Sequence, residues 1–290
     1  GNYQGNVADI CPVGALTLDK FRFQARVWNL TKAPSTCGEC SRGCSITVEV
    51  LRRQEVKRLR PRPNPEVNKY WMCDHWRFSF EGLNTSGRLA GALARGGSGL
   101  APVEPAVALD EFANLMRVHG APLVVASPWV TQEEGKLLAA LASEATFVSP
   151  PPSPLEDDLL HTGDPCPNRR GLSELGFTPL DAEAARTKLA GATFALLVGE
   201  RVADRLGREA LASLPAGLRL VVLDTHPLDV PSAELELGVP NAVERTGTWL
   251  NIDGVRGTLA IARSAPAGVA PLVRTLEEVA RRTSATGVAR

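Results

Sequence analysis

At 290 residues the chain exceeds one typical domain, so one large or two smaller domains are expected. It is 44% hydrophobic and 22% charged, and its 32 basic residues balance 32 acidic ones, so the formal net charge is zero. That balance argues against a general nucleic-acid or membrane-surface binder, which needs a basic excess, and no apolar run reaches the ~18–20 residues that span a bilayer, so membrane association is expected only through partners.

The first residues, GNYQGNVADI, carry neither a basic n-region nor an apolar h-region, so no signal peptide is expected. The chain opens on Gly rather than Met and reads as a fragment or processed product. Residues 1–83 hold five of the six cysteines, both tyrosines and Trp28, Trp71 and Trp76. Residues 84–105, rich in Gly, Ala and Pro, read as a linker or irregular loop. From about 106 the texture changes. ALDEFANLMRVHG has helical spacing and ends in Gly, and APLVVAS reads as a buried strand. TQEEGKLLAALASE reads as a helix capped by Thr131 with Glu134 three residues on, a capping-box pattern. ATFVS is the next strand, and 149–170 is a Pro-rich loop. DAEAARTKLAGA, TFALLVG, DRLGREALASL and LRLVVLDT then alternate helix and strand. Strands that are apolar throughout, alternating with helices, predict a parallel sheet covered on both faces. GTWLNIDGVRGTLAIA reads as a hairpin that closes this α/β domain. The fold class is therefore a small cysteine-bearing domain followed by an open α/β domain.

Six cysteines are too few for a disulfide scaffold, and their clustering points to metal. Cys37, Cys40, Cys44 and Cys73 follow the pattern C-x2-C-x3-C-x28-C. Thiolates are the soft ligands that zinc and iron–sulfur clusters prefer. A [4Fe–4S] cube has four iron corners, each taking one thiolate, which suits a tight loop giving three and a distant segment the fourth. Zinc sites more often pair two two-ligand knuckles, so the spacing favours the cluster and leaves a zinc-stabilised interaction module as a rival. Gly38 and Gly43 would let the loop approach the cluster closely. Cys11, in ICPVGAL, is a Cys-Pro pair of the kind that ends a ferredoxin-type ligand run, though a free Cys before a turn would look the same.

Other residues read more plainly. His75 adjoins a ligand and is expected to support it or lie at the surface; His119, His161 and His226 read as scattered single residues. Cys166 reads as a free thiol. Trp71 and Trp76 flank Cys73 and would cover the cluster. The basic stretch RRQEVKRLRPR could dock an acidic partner, offset cluster charge or form a solvated strand and turn. Asp224, after LVVL, stands where a Rossmann acid would sit, but VGERVADRLG lacks the G-x-G-x-x-G fingerprint, which argues against a nucleotide. No residue is expected to do acid–base or nucleophilic chemistry.

GNVADICPVGALTLDKFRFQARVWNL, STCGECSRGCSITVEV and RPRPNPEVNKYWMCDHWRF together resemble the large iron–sulfur subunit of proton-pumping NADH:quinone oxidoreductase, respiratory complex I, within the wider molybdopterin oxidoreductases. The likeness is dense over 5–83 and weaker through LVVASPWVTQEEGKLLAALA, EDDLLHTGDPCPNRRGLSELGF and NAVERTGTWLNIDGV. It implies a [4Fe–4S] cluster on Cys37, Cys40, Cys44 and Cys73, and makes Cys11 the last ligand of a second [4Fe–4S] cluster whose partners lie upstream. It implies three regions: 1–30 as the tail of a ferredoxin-like region, 31–83 as the [4Fe–4S] domain and 84–290 as a shortened, degenerate molybdopterin-oxidoreductase-like open α/β domain. The chain would be the C-terminal portion of a longer or split subunit. It would pass electrons from the NADH/flavin subunit toward quinone-side iron–sulfur subunits, peripheral on the cytoplasmic side of the bacterial inner membrane. Where relatives often carry Lys and Gly after the last ligand, this chain has His75 and Trp76. That departure and the short α/β region argue against bound molybdopterin, and so against the rival of a formate dehydrogenase-type alpha subunit.

Overall fold

The computed structural model describes residues 2–97 and 99–285. In chain order the elements begin with α1 (Gly5–Ile10), β1 (Leu30–Thr36), β2 (Ser45–Leu51), β3 (Glu55–Pro61) and α2 (Asp74–Arg77). Next come β4 (Ala92–Gly96), β5 (Gly99–Val103), α3 (Pro105–His119), β6 (Leu123–Ala126), α4 (Gln132–Leu141), β7 (Glu144–Val148), α5 (Arg169–Glu174), β8 (Thr178–Leu180) and α6 (Ala182–Ala190). The chain continues through β9 (Phe194–Val198), α7 (Val202–Leu206), α8 (Arg208–Leu211), β10 (Arg219–Asp224), β11 (Ala233–Gly238), β12 (Gly247–Leu250), β13 (Arg256–Leu259) and α9 (Leu272–Ala285).

These elements form two compact units. The first comprises residues up to Ser86, Pro151–Gly171 and Asn241–Ser264; the second comprises Gly87–Pro150, Leu172–Pro240 and the chain from Ala265. All of 84–290 is expected from the sequence to make one contiguous domain. Instead two later segments fold with the cysteine-bearing unit. The hairpin expected to close the α/β domain is there, β12 paired antiparallel with β13, but it belongs to the first unit.

In the first unit β1, β2 and β3 make an antiparallel sheet. Val48, Val50, Val56 and Leu59 face one core with Cys37, Cys44, Met72, Phe80, Leu160 and Val243. The basic stretch begins in the β2–β3 turn, where Arg52 and Arg53 are exposed, and continues along β3, where Arg58 and Arg60 are engaged internally. Arg58 pairs with the buried Glu49 and lies 4.0 Å over the Phe21 ring, and Arg60 donates to Asp9 at 2.8 Å.

The second unit is built on an eight-stranded sheet of order β5-β4-β11-β10-β9-β6-β7-β8. The strands β11, β10, β9, β6, β7 and β8 run parallel, and their apolar residues are buried because helices cover the sheet. Thr131 caps α4 as expected: its hydroxyl accepts the Glu134 amide, and the Glu134 carboxylate accepts the Thr131 amide at 2.8 Å. The segment read as a linker is in fact the β4–β5 hairpin, which adds two antiparallel strands to one edge. An edge strand tolerates Pro102, whose missing N–H costs no ladder bond on the open side. The open α/β class follows from the sequence; β4, β5, β11 and α9 do not.

Candidate functional site: a pocket of four cysteines

CGECSRGC is the loop that joins β1 to β2. The Cys37 amide donates to the Cys44 carbonyl at 2.8 Å, closing the loop on itself. Gly43 takes φ +62°, the left-handed turn that brings Cys44 back, and a Cβ there would sit 3.2 Å from the Asn251 Cβ. Cys73 arrives from the other side, as the residue capping α2. All four sulfurs are buried: Cys37 is 3% exposed and Cys40, Cys44 and Cys73 are each 4% exposed.

The loop is clamped by both returning segments. Ser41 donates its amide to the Asp164 carbonyl at 2.8 Å, and Ile252 donates to the Ser41 carbonyl at 2.8 Å. The Asn251 side chain donates to the Arg42 carbonyl at 3.1 Å. The sulfurs also receive donors. The Glu39 amide serves Cys37, the Trp76 amide serves Cys73, and the Arg42 amide together with the Thr162 amide and hydroxyl serves Cys40.

Burial pushes every one of these thiols up, Cys73 to about 11. The second influence on Cys37 is the charge of Cys44, Cys73 and Cys40, so these sulfurs act on one another. In type, these four buried soft donors, each with an amide acting on it, fit a cationic iron centre that would hold them as thiolates. Among the described residues, no group of three or more His, Cys, Asp or Glu is arranged to hold a metal ion.

Cys11 stands outside this pocket. It follows α1 and is partly exposed, among exposed Val7, Ile10, Val13 and Leu16. The Leu16 amide, helped by those of Ala15, Val13 and Gly14, draws its thiol below the ordinary value. The turn is thus shaped to stabilise a thiolate.

Arg77 joins α1 to the Cys73 helix. Its side chain is fully buried and donates to Asp9 on α1, to Asp74 on α2 at 3.0 Å and to Asn6 at 2.8 Å. Asn6 in turn donates to the Met72 carbonyl at 2.8 Å and accepts the Met72 amide at 3.0 Å. Gly5 is required here: its amide reaches Asp74 at 3.0 Å, and a Cβ would fall 2.5 Å from Arg77 Cδ.

His75 lies at the rim, its Nδ1 2.5 Å from the Glu39 carboxylate. Trp76 packs partly buried against the cysteine core, whereas Trp71 is 38% exposed. His119 ends α3 and stacks near Phe194. His226 sits beside Thr225 at 3.1 Å. Cys166 is fully buried, with an Arg169 nitrogen 3.5 Å from its sulfur. Asp224 serves the backbone. Its carboxylate accepts the amides of Arg201 at 2.7 Å and Ala203 at 3.1 Å, holding the turn after β9, and burial pushes it up to about 6.

The contributors that sequence reasoning missed are Thr162, Asn251, Arg77 and Asn6. His161, read as a scattered residue, lies buried next to the pocket with Nε2 3.8 Å from Glu39. The signal for Thr162 and Asn251 lay in the weaker family likeness of their two segments.

The strands, the loop and α2 fall within residues 30–84, which match the molybdopterin oxidoreductase Fe4S4 domain. The chain is also similar to subunits of NADH-quinone oxidoreductase. It is 37% identical to subunit 3 of that enzyme from Thermus thermophilus, over 56% of this chain and 23% of that protein. To an NADH-quinone oxidoreductase subunit of Streptomyces coelicolor it is 40% identical over 36% of this chain and 12% of that protein, and to one of Escherichia coli 31% identical over 50% and 16%. The chain therefore spans about a quarter or less of the length of the curated relatives it matches. The resemblance read from the motifs stands over about half of the chain.

Proposed function

We propose that this chain is an electron-transfer part of an NADH:quinone oxidoreductase of the complex I type. Cys37, Cys40, Cys44 and Cys73 would hold a [4Fe–4S] cluster. When bound, the cluster supplies reversible one-electron chemistry, at a potential set by burial, charge and hydrogen bonds to sulfur. The chain's own residues do the rest. The β1–β2 loop and α2 fix the four sulfurs, Val48, Met72 and Leu160 exclude water, and amides stabilise the thiolates. Cys11, on a separate turn whose amides lower its thiol's pKa, would complete a second cluster with three cysteines from a preceding ferredoxin-like segment. Electrons would come from a flavin subunit oxidising NADH and leave toward quinone, with the chain peripheral on the cytoplasmic face through its partner subunits. Among the described residues no helix is long and apolar enough to cross a membrane. The α/β unit would serve as a pterin-fold scaffold without pterin.

The observation that carries this reading is the burial of four thiols in one pocket, drawn from two distant segments. The test is anaerobic reconstitution followed by iron, sulfide and zinc analysis and EPR of the dithionite-reduced chain. About four iron and four sulfide per chain, lost in Cys73→Ser, is expected for one such cube. One zinc and no sulfide would overturn it in favour of a structural zinc module.

A further inference from the structure

The two aromatic side chains most open to water, Phe23 at 92% and Trp28 at 79%, lie just before β1. Their segment is pinned at both ends. Phe21 is buried beneath the Arg58 guanidinium at 4.0 Å, and the buried Leu30 begins β1. Between those anchors the chain turns outward. Phe23 takes φ +63°, a left-handed conformation that a bulky side chain rarely adopts. Each ring carries its own cation, Arg22 4.8 Å over Phe23 and Arg26 5.8 Å over Trp28. Leu30 pairs with Leu51 where β1 meets β2, so the turn after Leu51 lies at the same end of the sheet. The Gln54 amide closes that turn on the Leu51 carbonyl at 3.0 Å, with Arg52 at φ +52° and Arg53 at φ +58°. Two successive positive φ values favour Asn-Gly, so a pair of arginines there is strained. Residues 20–36 hold four basic residues and no acidic one. Among the described residues, none of Arg22, Arg26, Arg52 and Arg53 pairs with a carboxylate. On a chain of zero net charge this is a local concentration of cations around exposed rings.

We propose that this basic, aromatic end of the three-stranded sheet is a docking surface for a partner subunit whose matching face is an apolar notch ringed by Asp and Glu. Aromatic residues and Arg are enriched at protein interfaces, and Trp and Arg among the few positions that carry most of the binding energy. A guanidinium can keep its face on a ring while its edge pairs a carboxylate through two bonds. A lipid bilayer suits these pairs less well, because inserting the rings would draw the attached guanidinium groups toward hydrocarbon. The proposal rests on the reading above that the chain works within an NADH:quinone oxidoreductase, and it adds which surface is used and the chemistry of what covers it.

The test compares the complex assembled in the cell, purified by a tag on its flavin subunit, with the free full chain. In hydroxyl-radical footprinting of wild type, Phe23 and Trp28 should be oxidised in the free chain and protected in the complex. Trp28→Ala should weaken retention of the chain about thirtyfold on dilution, the loss expected of an interface aromatic that carries much of the binding. Arg22→Gln combined with Arg26→Gln should weaken retention and flatten its dependence on salt. Photo-crosslinking from benzoylphenylalanine in place of Trp28 should attach to an Asp- and Glu-rich peptide of another subunit. Attachment to lipid or to this same protein would overturn the proposal. So would equal oxidation of Phe23 and Trp28 in the complex and the free chain. Either result leaves the complex I reading intact. A wild-type chain that does not co-purify with the flavin subunit would instead sink that reading, and the proposal with it. Should the photo-reactive variant fail to assemble, the wild-type footprint and the salt dependence of wild-type retention decide.

Discussion

Replacing Arg77 by Leu should uncouple the Cys11 segment from the Cys73 helix. The Arg77 side chain is fully buried, and the carboxylates it serves, Asp9 and Asp74, are only 9% and 12% exposed. Leu would fill much of the same space, so the loss is electrostatic rather than a cavity. Removing one partner of a buried charge pair costs about 3–5 kcal/mol, chiefly because the surviving charge stays buried. Two compensations place the expected loss near the lower end: Arg60 still donates to Asp9 at 2.8 Å, and the Gly5 amide still donates to Asp74. About 3 kcal/mol is therefore expected. Arg77→Lys keeps the charge but not the planar fork that reaches Asp9, Asp74 and Asn6 together, so it should fall between Leu and wild type. Asp74→Asn added to Arg77→Leu should recover part of the loss, because a neutral amide leaves no stranded charge. The assay is urea unfolding followed by tryptophan fluorescence. It must be done on metal-free chain, since any bound cluster adds its own stabilisation. A loss under about 1 kcal/mol for Arg77→Leu would refute the reasoning, as it would mean the network is worth no more than a surface ion pair.

Three further outcomes are expected. Gly43→Ala forces a side chain into the left-handed turn beside Asn251 and should cost roughly 1–2 kcal/mol in the cysteine-bearing unit, read as a lower urea midpoint and weaker iron retention. Thr131→Ala removes the hydroxyl half of the α4 capping box and should cost about 1 kcal/mol, visible in thermal melts of the metal-free chain. Asp224→Asn tests a pH dependence of definite sign. Burial raises the carboxyl from 3.8 to about 6, so the folded state holds the proton more tightly than the unfolded one. The stability of wild type relative to Asp224→Asn should therefore be greatest below pH 4 and fall by about 3 kcal/mol as pH rises to 6 and slightly beyond; a difference flat across that range in paired urea titrations would contradict it.

What could be read from sequence follows physical range. Local signals transferred well: the Thr131–Glu134 cap, the apolar runs of β6, β9 and β10, and the C-x2-C-x3-C loop all depend on residues a few positions apart. Element β11 and helix α9 escaped notice. The β4–β5 hairpin escaped for a specific reason: ALARG and GLAPV have little β-branched character and are held by pairing, β4 with β11 and β5 with β4, rather than by propensity. The single Asp224 that looked like a Rossmann acid turned out to serve the backbone, which no spacing rule could reveal without the amides it accepts.

The cysteine pocket shows the same divide within one site. The ligating residue types announce themselves because metal chemistry demands thiolates at set intervals. The residues that shape the pocket around them do not, because an amide, a hydroxyl or a guanidinium can reach in from anywhere the fold permits. Thr162, Leu160 and Asn251 come from segments that are neither helical nor cysteine-bearing at those positions, so periodicity and spacing pass over them. Yet both segments, EDDLLHTGDPCPNRRGLSELGF and NAVERTGTWLNIDGV, carry family likeness outside the dense N-terminal match. Most of each folds with the cysteines rather than with the α/β unit that surrounds them in sequence. Likeness that returns in short, separated stretches is what a site built from three parts of a chain would leave behind. In this protein those stretches end on the cysteine loop at Ser41 and Arg42.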